Sequence, residues 1–77
     1  MTERTQETPQ QKIENWFTYH SPTPDQLPCY TAIREAAKQF ALVLVANTPE
    51  SADQTVAIRK VREAVMIANA SIACSGR

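Results

Sequence analysis

Proline placement constrains this chain more than any other feature. Its five prolines, Pro9, Pro22, Pro24, Pro28 and Pro49, all lie in the first 49 of 77 residues. Proline cannot sit inside a helix or a central strand without breaking it, and it pushes the preceding residue out of the helical region. Two long uninterrupted stretches remain, one between Pro28 and Pro49 and one from Glu50 to Arg77. Both carry apolar residues at helical spacing. Tyr30, Ile33, Ala37, Phe40, Ala41 and Leu44 follow the i, i+3, i+4, i+7 rule, as do Ala57, Val61, Ala64, Val65, Ala68 and Ile72. The spacing predicts helices over roughly 26–46 and 52–74. Asp25 reads as a cap for the first of these, with Pro28 in its tolerant first turn. Ser51-Ala52-Asp53-Gln54 reads as a capping box for the second. The short break at Asn47 to Glu50 forces the two helices antiparallel.

Upstream, Thr8-Pro9-Gln10-Gln11 has a capping residue, proline at the first helical position and Gln at the capping-box position. Ile13, Trp16 and Phe17 then share one face, predicting a short helix over roughly 9–18. Residues 19–28 hold three prolines and read as a rigid extended connector. Residues 1–8 are polar and charged and read as a disordered tail, leaving 9–77 as a single helical-hairpin domain. The expected fold is all-α: a short N-terminal helix followed by a long antiparallel αα-hairpin.

Size adds a further constraint. A chain this short buries only about 60% of the surface its unfolded form exposes. Val43 and Val45 put apolar surface outside the main stripe of the second helix, so its last turns are apolar on every side. One hairpin partner cannot cover such a surface, and oligomerisation is expected.

Composition narrows the function. Eight basic and eight acidic residues give no net charge, which argues against a general nucleic-acid or anionic-membrane binder. A single glycine excludes glycine-rich phosphate loops. No apolar run approaches a membrane span, and the start of the chain lacks the apolar region of a secretory signal. Two cysteines and one histidine, with no C-x-x-C, do not make a closed zinc site without carboxylates, and no cofactor is expected. Cys29 and Cys74 fall about five residues out of line across the hairpin and read as free thiols. His20 has no surrounding catalytic context; it reads either as a histidine hydrogen-bonded to a neighbour or as a ligand contact.

Trp16, Phe17, Tyr19 and Tyr30 gather around the proline-rich elbow. Phe17 and Tyr30 read as a staple holding the short helix on the hairpin. Tyr19, next to rigid turn chemistry, is placed to offer a ring face to a ligand, and Arg34 lies at the same end of the hairpin. Aromatic stacking and a guanidinium fork are the minimal kit for a nucleotide.

Phe17-Thr18-Tyr19-His20 with Pro22, Asp25-Gln26, Tyr30, Ile33-Arg34, Ala37-Lys38, Pro49 with Ser51, and Ala68-Asn69-Ala70 with Ile72-Ala73 occur in an order that resembles the anti-CBASS sponges. These are small phage proteins that sequester cyclic oligonucleotide second messengers, and their hairpin domain is shared with anti-Thoeris sponges. The resemblance spans roughly 13–74. It implies a non-catalytic homo-hexamer in the cytoplasm of an infected bacterium. It implies binding of cyclic dinucleotides such as cyclic GMP–AMP between paired protomers, and of cyclic trinucleotides in separate pockets. It places the dinucleotide contacts on Tyr19 and Arg34. Trp16, one turn earlier, then offers a second stacking surface, His20 a neighbouring contact, and Asn69 an amide for a base edge or a buried partner. Ile67 and Cys74 stand where the family more often has Trp and Arg, and no residues carry over for trinucleotide sites. The rival reading is a helical protein-interaction module, antitoxin- or adaptor-like, with no small-molecule ligand.

Overall fold

The computed structural model describes residues 7–77. Most of the expected disordered tail, residues 1–6, lies outside the described residues. Three helices follow in order: α1 (Pro9–Trp16), α2 (Leu27–Asn47) and α3 (Ala52–Ala73). No strand occurs among the described residues.

α1 starts as expected. Thr8 is extended, its hydroxyl accepts from the Gln11 amide, and the Gln11 side chain returns the bond to the Thr8 amide, completing a capping box. α1 ends two residues sooner than its pattern suggests, because Phe17 leaves helical geometry as the C-cap. α2 begins at Leu27, and its N-cap is Gln26 rather than the expected Asp25. Gln26 makes no side-chain cap bond. Its amide is engaged elsewhere, accepting from the Thr23 amide at 3.0 Å and donating to the Ile72 carbonyl at 3.3 Å. α3 is capped by Ser51, whose hydroxyl accepts from the Gln54 amide. The Gln54 side chain does not close the reciprocal half of the box. It donates instead to the carbonyl and hydroxyl of Thr48, bracing the α2–α3 turn.

α2 and α3 pack antiparallel along Ile33, Ala37, Ala41 and Leu44 on one side and Ala57, Val61, Val65 and Ala68 on the other, all half-buried. Small side chains let the helices approach, but they leave a shallow core. Cys74 alone among the described residues is buried, and it still keeps 9% of its surface in solvent. Phe40, Leu42, Val43, Val45, Val56, Met66 and Ile67 each keep at least half of their surface in solvent.

The expected aromatic staple is absent. Phe17 is 83% exposed, and only Tyr30 of the pair is half-buried. α1 is instead tied to the C-terminal end of α3 by polar bonds. The last four carbonyls of a helix have no partner within it. Beyond them, Asn15 Nδ2 donates to the carbonyl of the C-cap Cys74 at 3.3 Å, and Trp16 Nε1 donates to the carbonyl of Arg77, past the helix, at 2.7 Å. With Gln26 on Ile72, side chains from both preceding segments bond the C-terminal turn of α3 and the residues that follow it. The backbone there closes in a Schellman motif: Gly76 N–H bonds Ser71 O at 2.8 Å and Ser75 N–H bonds Ile72 O at 3.2 Å. Cys29 is exposed, and both cysteines are free thiols.

Two outcomes test this arrangement. Ser75 takes φ +56°, the left-handed region that penalises a Cβ. Ser75→Gly is expected to stabilise the protein by about 0.5–1 kcal/mol, read from urea unfolding at fixed protein concentration; a destabilised variant would contradict the geometry. Asn15→Leu removes one tie and is expected to cost about 1 kcal/mol. Hydrogen exchange should show lost protection over 9–16 and unchanged protection over 27–47.

Candidate functional site

The functional candidates gather where α1, the elbow over 17–26 and the C-terminal turn of α3 meet. Two clefts open there. The larger, about 540 Å³, is lined by Glu7, Gln11, Glu14, Asn15, Thr18, His20 and Arg77. The smaller, about 300 Å³, has Trp16 as one wall and Ile67, Ala70, Ser71, Cys74 and Arg77 around it. Arg77 borders both.

His20 is half-buried, and its Nε2 lies 2.7 Å from the Asn15 carbonyl. A carbonyl only accepts, so Nε2 carries the hydrogen and donates. The ring thereby satisfies one of the orphan carbonyls at the end of α1, which realises the neighbour-bonded reading of this histidine. Thr18 does the same for Glu14, its hydroxyl donating to that carbonyl.

Trp16 is half-exposed, with its indole orientation fixed by the bond to Arg77. That leaves one flank of the ring to the smaller cleft. Tyr19 is 82% exposed and carries no hydrogen bond among the described residues. It projects from a segment whose next residues include Pro22 and Pro24, so the backbone beneath it is stiff.

Arg34 lies two turns into α2, one turn after Tyr30 and one turn before Lys38. It is exposed. The ion pairs among the described residues are Lys60 with Glu63 at 3.3 Å and Arg77 with Glu7 at 3.7 Å, and Arg34 has no ion-pair partner among them. Asn69 is half-buried on α3, and its Oδ1 is shielded from solvent without a hydrogen-bond partner.

One protomer therefore brings together only some of the candidates. Trp16 and His20 flank adjoining clefts that share Arg77. Tyr19, Arg34 and Asn69 line neither cleft. Tyr19 and Arg34 offer a stacking face and a phosphate fork to the outside, which is chemistry for holding a planar anion. Gln26 and Asn15 were missed as members of this region. Their only sequence signal is an amide beside a helix boundary, where it can reach orphan backbone groups.

Among the described residues, no group of three His, Cys, Asp or Glu is placed to hold a metal ion. No helix among them is long and apolar enough to cross a membrane.

No significant match is found among curated proteins or among solved structures. The model of the Acb2/Tad1 hairpin domain matches residues 9–73, from the first residue of α1 to the last of α3. The three helices and the elbow that carries Tyr19 all fall inside that match, and the chain belongs to the Acb2/Tad1 hairpin-domain family, that of the anti-CBASS and anti-Thoeris sponges.

Proposed function

We propose that this protein is a non-catalytic sponge that binds cyclic oligonucleotide signals in an infected bacterial cell and keeps them from their effectors. The observation that carries this reading is the family match over 9–73, which contains every element that places Tyr19 and Arg34. The preferred ligand class is the cyclic dinucleotide, cyclic GMP–AMP included, with cyclic trinucleotides as a second class. In this reading Tyr19 stacks a base and Arg34 pairs with a phosphate. Trp16 gives a second stacking face and Asn69 an amide, with His20 beside Tyr19 in the same site.

Magnitudes favour a pocket between protomers over a site on one chain. Nanomolar binding requires about −12 kcal/mol. Two base stacks supply about 2–6 kcal/mol, and a charge-assisted phosphate contact about 1.5–3 kcal/mol. An 82% exposed tyrosine cannot supply the rest alone. A second copy would enclose the ligand and raise the value of each polar contact by excluding water. Self-association would also cover the apolar faces of α2 and α3 that stand in solvent on a lone protomer. A homo-hexamer satisfies both needs.

The same exposed faces suit a protein-interaction module, and light scattering separates the two. The sponge reading expects a mass that is a multiple of 8.6 kDa without any added partner. The module reading expects a monomer that binds apolar dye until a partner protein relieves it.

Calorimetric titration with cyclic GMP–AMP tests the ligand. Wild type should bind tightly, and Tyr19→Ala and Arg34→Ala should each lose at least tenfold in affinity while keeping the wild-type mass. An oligomer that gives neither heat nor a thermal shift with cyclic GMP–AMP, nor with a panel of cyclic di- and trinucleotides, would overturn the proposal.

A further inference from the structure

The elbow between α1 and α2 is tied at both of its ends, and each tie is one side chain reaching a carbonyl in the last turn of a helix. At the near end the His20 ring donates to Asn15 O, 2.7 Å away in the last turn of α1. At the far end the Gln26 amide donates to Ile72 O in the last turn of α3 and accepts from the Thr23 amide within the elbow. The Gln26 backbone adds to this, its amide donating to Thr23 O at 3.0 Å and its carbonyl accepting from Tyr30 N–H at 3.1 Å. Between the ties lie Pro22 and Pro24, which hold their own φ angles.

Gln26 stands at the N-cap of α2, where Ser, Thr or Asp would satisfy a helix amide and Gln does not. The position forgoes a local cap and makes two side-chain bonds, one within the elbow and one to another helix. Nothing in the helix itself rewards that exchange. What the ties immobilise is the backbone next to Tyr19, a ring that buries little of its own surface and so cannot be held by packing.

We infer that Gln26 and His20 are positioning residues for Tyr19. They hold the elbow backbone so that the tyrosine face is presented before a ligand arrives, and their effect on binding runs through that residue. This assigns His20 to the scaffold of the site rather than to direct ligand contact. The ligand part of the inference rests on the cyclic-nucleotide reading above; the backbone part does not.

The experiment therefore uses two readouts on the full chain. Backbone ¹⁵N relaxation without ligand gives the order parameter at the Tyr19, Ser21 and Thr23 amides. In wild type these should sit near about 0.85, and in Gln26→Met and His20→Ala they should fall below about 0.6. His20→Gln, which retains an N–H donor of similar reach, should restore them. Gln26→Glu keeps the acceptor for Thr23 and loses the donor to Ile72, and should fall between wild type and Gln26→Met. Titration with cyclic GMP–AMP should then show about a tenfold loss in Gln26→Met and His20→Ala at unchanged mass, with recovery in His20→Gln.

In a Tyr19→Ala background the Gln26→Met substitution should have no further effect on affinity. A purely structural role would leave it a full additional loss. Wild-type order parameters in Gln26→Met would overturn the inference outright. So would wild-type affinity in a variant whose elbow has become mobile. If no cyclic nucleotide binds wild type while the elbow loosens as expected, the backbone ties stand and the ligand reading fails.

Discussion

A helix must end, and its last carbonyls must find donors. In this chain the backbone amides of the Schellman turn supply most of them, and side chains from the two segments that precede the hairpin bond the same turn. Gln26 from the elbow reaches Ile72. Asn15 and Trp16 from α1 reach Cys74 and Arg77. Each bond is worth about 1 kcal/mol net. Together they decide where α1 lies, because no apolar surface does so: Ile13, Trp16 and Phe17 remain half or more exposed. Remove that acceptor row and α1, an eight-residue helix, falls below the length at which helices persist alone in water. The clefts beside Trp16 and His20 exist only because the row is there.

The same contacts divide the protomer into two kinds of surface. Along the hairpin, alanine-rich stripes allow close helix approach but bury little, and the larger side chains face outward. At the elbow, polar ties hold aromatic residues in the open. A protein of 77 residues thus leaves undone both the covering of its apolar faces and the enclosure of its aromatic ones. In the proposed oligomer a second copy of the chain would answer both.

Much of this was legible in the sequence. Proline positions and helical periodicity gave the three helices to within two residues at every boundary, because both act locally. Thr8 and Ser51 were readable as caps for the same reason. Three features were not. Gln26 displaced Asp25 as N-cap because its side chain has a tertiary partner 46 positions away, and no local rule contains that residue. Phe17 failed as a staple because α1 ends one residue before it and docks through amides instead of rings. The Gln54 side chain turned back to Thr48, a turn bond that competes with the capping box for the same side chain. In the candidate site, Tyr19 and Arg34 were legible as chemistry, a ring beside a stiff turn and a cation at the same end of the hairpin. Their spatial relation was not, since a single protomer leaves them outside its clefts.

As proposed, this family member holds a cyclic signal and releases it unchanged. The direct measurement is recovery. The protein is mixed with cyclic GMP–AMP, free ligand is removed through a filter, and the retained protein is denatured by heat. The account expects the filtrate to be depleted in proportion to protein, and the heated sample to return the missing ligand intact. A filtrate that keeps all the ligand, or a heated sample that returns a linear or cleaved product, would contradict it.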